Sequence, residues 1–264
     1  MRGRKSGGVK ARDLGPFVPD TIHQGDALAL LSKLPAGSID LVVTDPPFAI
    51  DFRAQRGNYN RTGSRVLDGY REVPPDQYRD FTNRWMEEAF RVLSPAGSLY
   101  VFSGWNRLKE VLCGLDRAGF HTVNHLIWKF QFGVFTRRRY VTSHYHILFA
   151  VKDPSDYTFN KQDHYPEDVW VIPREYWKGR KKTATKLPRD LVSRILAYSS
   201  DPGDLVLDPF IGSGTVAVVA REMERHFLGF ELSEEYCAFA LERLREEGMR
   251  GGRAAGSGNA EGEN

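Results

Sequence analysis

Two short stretches of this chain carry residue types that could do chemistry: TDPPFAI at residues 44–50 and DPFIGSGT at residues 208–215. In the first, Pro46 and Pro47 restrict the backbone so that the Asp45 carboxylate and the Pro46 carbonyl can converge on one point, both as hydrogen-bond acceptors. Two converging acceptors suit an NH2 group. The lone pair of an exocyclic base amine is delocalised into its ring, so the amine is a poor nucleophile. Accepting both of its protons favours a pyramidal nitrogen with a lone pair free to attack, a charge reorganisation that a preorganised site stabilises. Phe48 offers a face on which the planar ring carrying that amine could stack. Taken alone, the stretch would read as a proline turn with Asp45 capping a helix.

The second stretch turns tightly on Gly212 and Gly214 before a helix that starts near Thr215. Glycines let backbone N–H groups approach a ligand closely, and a helix N-terminus favours a carboxylate or a phosphate. Glu231, at the end of the following apolar run, is placed to accept hydrogen bonds from ribose hydroxyls. A lone Gly-x-Gly turn is weak evidence, but turn and carboxylate together ask for a ligand with a ribose. GSGTVA also approximates the dinucleotide fingerprint G-x-G-x-x-A. That fingerprint follows its strand directly, whereas here Asp208, Pro209 and Phe210 intervene, which favours a nucleoside with an amino-acid tail over a pyrophosphate.

The elements that must position these groups alternate between strand and helix. SIDLVVT reads as a buried strand that ends where two prolines stop the ladder. Asp26 can cap a short helix reaching Leu34, with Leu28, Leu31 and Leu34 at helical spacing. Residues 51–69 read as a long loop beside the site, 75–93 as a helix, 97–102 as a strand and 105–118 as a helix. HLIWKF and YHILFAVK add strands on either side of TRRR, and residues 152–185 break the pattern as an excursion from the sheet. The pattern returns with a helix over 188–199, the strand LVLD, a helix from Thr215, the strand FLGFE and a last helix that Ser233 can cap. A chemical motif at the carboxyl end of a strand is where open α/β sheets bind ligands.

Composition bounds the rest. The 264 residues can bury one sizeable core, and no run approaches the roughly 20 apolar residues of a membrane helix. The charged N-terminus, MRGRKSGGVKAR, is followed by no apolar core of a secretory signal, so a cytoplasmic protein is expected. Cys113 and Cys237 form neither a disulfide framework nor a zinc spacing, and no metal is implied. The net charge of +3 is a poor argument for nucleic acid by itself; its distribution is more telling. Residues 1–20 form a basic tail and 248–264 a Gly-rich one, both expected to be disordered, around a folded domain at 21–247.

From about Thr21 to Arg245 the chain resembles the S-adenosylmethionine-dependent amino-methyltransferases of DNA, in which a D/S-P-P-Y/F turn holds the target amine and a D-P-F-x-G-S/T-G-T loop binds the cofactor. The catalytic turn comes first and the cofactor loop last, as in the circularly permuted β class. The resemblance implies a Rossmann-like α/β fold with a mostly parallel, doubly wound sheet, and no metal. It implies catalytic roles for Asp45, Pro46, Pro47 and Phe48, and places Asp26 near the cofactor's adenosine. Asp208, Phe210, Gly212, Ser213, Gly214 and Thr215 match the methionine-binding loop, and Glu231 the ribose carboxylate. TATKLP stands where the class usually has H-P-T-Q-K-P; Thr185, Lys186 and Pro188 match and the His and Gln positions do not. The target-recognition segment would fall within about 130–183. Asp at the first motif position usually accompanies adenine N6 and Ser cytosine N4, so adenine N6 is expected with cytosine N4 as the alternative.

Two basic runs interleave cations with aromatics: Arg137, Arg138 and Arg139 before Tyr140, and Lys178, Arg180, Lys181 and Lys182 after Tyr176 and Trp177. Flanking a site for a base amine, they are read as the grip on double-stranded DNA. The base is expected to flip out of the stack, with Trp170, Tyr176 and Trp177 as candidates to fill the gap or touch neighbouring bases, and a core position as the alternative for each. His144 and His146 face one side of a strand, in a core or DNA-facing role rather than a metal site. The resemblance leaves a homodimer and a cognate restriction endonuclease open as partners. RNA or protein-glutamine methylation and a non-catalytic DNA-binding module remain alternatives; a nicotinamide oxidoreductase is disfavoured by the spacing of the glycines.

Overall fold

Runs of β-branched and large apolar residues build a single eight-stranded sheet in this computed structural model. The described residues are 12–47, 73–131, 137–138, 140–176 and 186–256, with side chains as far as 247. The strands are β1 (Thr21–Gln24), β2 (Ile39–Thr44), β3 (Leu93–Ser103), β4 (His121–Lys129), β5 (His144–Val151), β6 (Val169–Val171), β7 (Leu205–Asp208) and β8 (His226–Glu231). Their order across the sheet is β1-β8-β7-β2-β3-β5-β4-β6. The first five in that order are parallel to one another, β5 runs antiparallel to both neighbours, and β4 and β6 are again parallel.

Helices cover both faces. Leu31 of α1 (Ala27–Leu31), Trp85 and Met86 of α2 (Tyr78–Val92), and Val111 and Leu115 of α3 (Leu108–Ala118) pack with Val42, Leu99 and Leu148 on one face. Leu191 and Ile195 of α4 (Arg189–Ser199), Val216 and Val219 of α5 (Thr215–Glu222), and Ala240 and Leu244 of α6 (Glu234–Gly256) pack with Val43, Phe149 and Val206 on the other. Strands covered on both faces read as near-continuous apolar runs, and β2 and β7 do. From the centre, β2 leads outward to β3 while β7 leads the opposite way to β8 and β1, so the topological switch point lies between β2 and β7. This is the doubly wound, permuted arrangement expected. No helix among the described residues is long and apolar enough to cross a membrane.

Differences from the sequence reading have local causes. The first helix stops at Leu31, and Leu34 is buried by a tight turn in which the Leu34 N–H donates to the Leu31 carbonyl at 3.0 Å. The third helix starts at Leu108 because Arg107 N donates to the Gly104 carbonyl in a turn, which leaves Trp105 exposed. The excursion after β5 returns to the sheet: Val169, Trp170 and Val171 pair with Ile127, Trp128 and Lys129 as an edge strand too short to show a period. The last helix runs to Gly256, past residue 247 where a tail was expected; ALERLREEGMR is rich in good helix formers that propagate it into the glycines. The expected loop at 51–69 lies outside the described residues.

Candidate active site

Where β2 ends, Pro46 and Pro47 lack the N–H groups that would continue the ladder, and the chain leaves the sheet at the switch point. Pro46 is buried, Asp45 half-buried, and Asp45, Pro46 and Pro47 line one side of a cavity of about 660 Å3. Phe210, Gly212 and Glu231 line it from β7 and β8. Residues from distant parts of the chain therefore meet across one crevice at the carboxyl ends of adjacent parallel strands. Its volume falls in the range of small-molecule and cofactor sites. The negative charge of Asp45 reaches Tyr78, a buried phenol with the Arg107 guanidinium 5.0 Å from its ring centre. Burial first, and the Asp45 and Glu110 charges in addition, push the Tyr78 phenol up to about 12.

The loop after β7 is held backbone atom by backbone atom. Asp208 accepts the Phe210 N–H at 3.1 Å, Ile211 N donates to the Phe230 carbonyl at 2.9 Å, and Gly214 N donates to the Ile211 carbonyl at 2.9 Å. Gly212 and Gly214 sit at φ +50° and +77°, the left-handed region where a side chain is strained. Glu231 accepts the Gly212 N–H at 3.0 Å with one oxygen and the Ser233 N–H at 2.9 Å with the other. Burial pushes its carboxyl above the usual range, against the opposing pull of these N–H donors. With the Leu232 N–H as a further donor, the carboxylate's four lone-pair positions are not all taken, which leaves acceptor capacity for a ligand hydroxyl, while α5 begins at the end of the same loop with its N-terminal N–H groups. A carboxylate on hydroxyls, a helix N-terminus on an anionic tail, and a cavity of this size fit S-adenosylmethionine.

Of the other residues singled out in the sequence, one lines the cavity and the rest of those described stand behind it or away from it. Asp26 lines the cavity and at the same time caps α1, accepting the Ala29 N–H at 3.0 Å. Asp208, Ser213 and Thr215 are buried behind the wall. Lys186 pairs with Glu175, whose other oxygen accepts the Arg189 N–H at 2.6 Å, and Pro188 stands at the N-cap of α4. Phe48 and Thr185 lie outside the described residues.

The structure adds groups that no motif announced. Phe81 and Arg84 of α2 and Tyr236 of α6 line the cavity, and Phe81 and Trp85 hold the Phe210 ring at centroid distances of 5.6 Å. Arg243 of α6, 8% exposed, donates to the Ser213 carbonyl at 3.0 Å and to Thr215 Oγ1 at 2.9 Å.

Arg137 and Arg138, both exposed, belong to the connection between β4 and β5. Because β4 is parallel to β3, that connection opens at the same edge of the sheet as the cavity. Arg139, Trp177, Lys178, Arg180, Lys181 and Lys182 lie outside the described residues. Tyr176 is exposed, whereas Trp170 takes the core alternative: it is 8% exposed, its Nε1 donates to the Glu167 carbonyl and Arg194 stacks 5.1 Å over its ring. His146 is buried too, with its Nδ1 2.7 Å from His125 Nε2.

A family model for N6/N4 DNA methylases matches residues 39–242. The type II methyltransferase M.HpaI of Haemophilus parainfluenzae is 31% identical over 243 residues, 84% of this chain and 73% of that protein. The DNA adenine methyltransferase YhdJ of Escherichia coli strain K12 is 31% identical over 256 residues, 85% of this chain and 82% of that protein. Among solved structures, the M1.HpyAVI–SAM complex aligns with a TM-score of 0.65 at 24% identity, covering 85% of this chain and 98% of that one. The cytosine-N4-specific PvuII DNA methyltransferase aligns with a TM-score of 0.66 at 20% identity, covering 87% and 91%. At these identities the two structures speak for the fold.

Proposed function

This chain belongs to the N6/N4 DNA methylase family as an S-adenosylmethionine-dependent DNA methyltransferase, and we propose that its target is the N6 amine of adenine in a base flipped out of double-stranded DNA. The observation that carries the reading is the single cavity into which the Asp45–Pro47 turn and the Phe210–Gly212 loop both open. S-adenosylmethionine supplies an electrophilic methyl group there. The Asp45 carboxylate and the Pro46 carbonyl accept the two protons of the target amine, which turns the nitrogen lone pair toward the methyl donor. Asp45 is also the group to take the proton that the methylated amine sheds. Glu231 holds ribose hydroxyls, and the loop ending in Thr215 holds the amino-acid tail. Pro46, buried in the turn, fixes the carbonyl without an N–H that would compete for the amine.

Adenine is favoured by Asp rather than Ser ahead of the two prolines and by the 31% identity to a relative described as a DNA adenine methyltransferase. Arg137 and Arg138 would grip phosphates at the edge of the sheet where the cavity opens, and the basic run at 178–182 has the composition for the same task. Kinship with a type II methyltransferase supports a cognate endonuclease as partner.

The test is to incubate the protein with unmethylated genomic DNA and S-adenosylmethionine, digest to nucleosides and identify the product by mass spectrometry. 6-Methyladenine is the expected product. 4-Methylcytosine would keep the mechanism and overturn the base assignment, and no methylated base would overturn the DNA reading in favour of RNA or protein-glutamine substrates.

A further inference from the structure

The target-amine turn and the cofactor loop arrive on different strands, and in-line methyl transfer tolerates little error between them. The β2–β7 ladder pairs Leu41 with Val206 and Val42 with Leu207, so it stops short of both functional loops. Thr44, immediately before Asp45, is fully buried, and its Oγ1 donates to Asp208 Oδ1 at 2.8 Å. The same Asp208 oxygen accepts the Phe210 N–H at 3.1 Å and so shapes the start of the cofactor loop.

Asp208 is 3% exposed, and burial pushes its carboxyl up to about 7, with the Glu231 charge adding to the rise and the Thr44 hydroxyl and Phe210 N–H opposing it. The charged group that acts on it is Glu231 on β8, which in turn raises the Cys237 thiol of α6 after burial. Protonation on Oδ2 would leave Oδ1 a neutral carbonyl oxygen, a weaker acceptor than a carboxylate, so the Thr44 and Phe210 hydrogen bonds that join the turn to the loop would both loosen.

We propose that Thr44 is a positioning residue that joins the target-amine turn to the cofactor loop by holding Asp208 as an ionised acceptor. It acts through Asp208 and touches neither ligand. This inference rests on the function proposed above.

The test compares Thr44→Ser and Thr44→Val by calorimetric titration with S-adenosylmethionine across pH and by single-turnover methyl transfer. Thr44→Ser, which keeps the hydroxyl, is expected to stay within about 2-fold of the parent. Thr44→Val, which keeps the shape and loses the donor, is expected to lose about 10-fold in single-turnover rate near neutral pH. Without the Thr44 donor Asp208 protonates at a higher pH, so the acid limb of cofactor affinity moves upward by about one pH unit. An unchanged rate and limb in Thr44→Val would overturn the inference. If that variant does not fold, Thr44→Cys, of similar size with a weak donor, carries the same comparison. Should the parent methylate no DNA, the function fails on its own, while the pH dependence of cofactor binding still decides the role of Thr44.

Discussion

Arg243 and Thr215 are joined by a hydrogen bond of 2.9 Å from Nη1 to Oγ1, which ties the last helix to the first residue of the helix that closes the cofactor loop. The guanidinium is 8% exposed and also donates to the Ser213 carbonyl, so the loop is braced from behind by a buried cation. Arg243→Met leaves that carbonyl without its donor. A loss of about 2–4 kcal/mol in folding stability and a rise of about 10-fold in the cofactor Kd are expected, read by chemical denaturation and calorimetry.

Asp45→Ala removes one of the two acceptors for the amine and leaves the loop on β7 untouched. Methyl transfer is expected to fall at least about 100-fold, as for other groups that stabilise a developing charge. The cofactor Kd should stay within about 3-fold, because Asp45 is asked to hold the amine and not the cofactor. Retained transfer in a radiolabel assay would remove Asp45 from the mechanism.

Glu231→Gln keeps the volume and puts an NH2 group against either Gly212 N–H or Ser233 N–H, both of which donate to the present carboxylate. One donor must then face another. An increase of about 10- to 100-fold in the cofactor Kd is expected, with a smaller effect on the single-turnover rate at saturation.

Gly229 on β8 lies under the loop: a Cβ there would stand 2.3 Å from Ile211 Cδ1 and 3.2 Å from Ile211 Cβ. Its φ is ordinary, so the cost of Gly229→Ala is steric. About 1–3 kcal/mol of stability should be lost. Cofactor binding should weaken as Ile211 and the loop it belongs to are pushed outward, which a thermal melt with and without cofactor would show.

The stability of the ligand-free protein should carry opposing pH dependences. Asp208 has a pKa raised from 3.8 to about 7, so its contribution is complete below 3.8 and is lost as pH rises toward 7. Asp204, raised to about 6 mainly by burial and next by Asp40, acts in the same sense. His146, lowered from 6.5 to about 4 by burial and by His125 and His144, acts in the other: its contribution is complete above 6.5 and is lost as pH falls toward 4. Asp208→Asn, which cannot ionise but can still accept from Thr44, removes the first of these. Relative to the parent it should gain stability steadily as pH is raised from 4 to 7 in denaturation curves; a constant difference across that range would contradict the burial argument.

Much of this protein follows from local sequence. Short apolar runs, β-branched in β2 and Leu-Val-Leu in β7, mark both as buried strands, Pro46 and Pro47 end the first of them, and Gly212 and Gly214 supply the positive φ that the cofactor loop needs. Asp26 caps its helix and Ser233 the last one through side chains of the expected kind, accepting the Ala29 and Tyr236 N–H groups. These are near-neighbour effects, and a chain read in order contains them.

What only the tertiary structure decided is which of the marked residues face the cavity and what stands behind them. Asp45, Phe210, Gly212 and Glu231 line it, whereas Asp208 and Thr215, from the same loop, are turned inward to Thr44 and Arg243. Trp170, which the sequence left between the DNA face and the core, is core because three residues of the excursion found an open edge at β4. Each depends on pairings across long sequence separations: 164 positions from Thr44 to Asp208 and 28 from Thr215 to Arg243. Residue type and local spacing hold no record of such partners. They are selected when the strands close into one sheet and every buried polar group must find a neighbour.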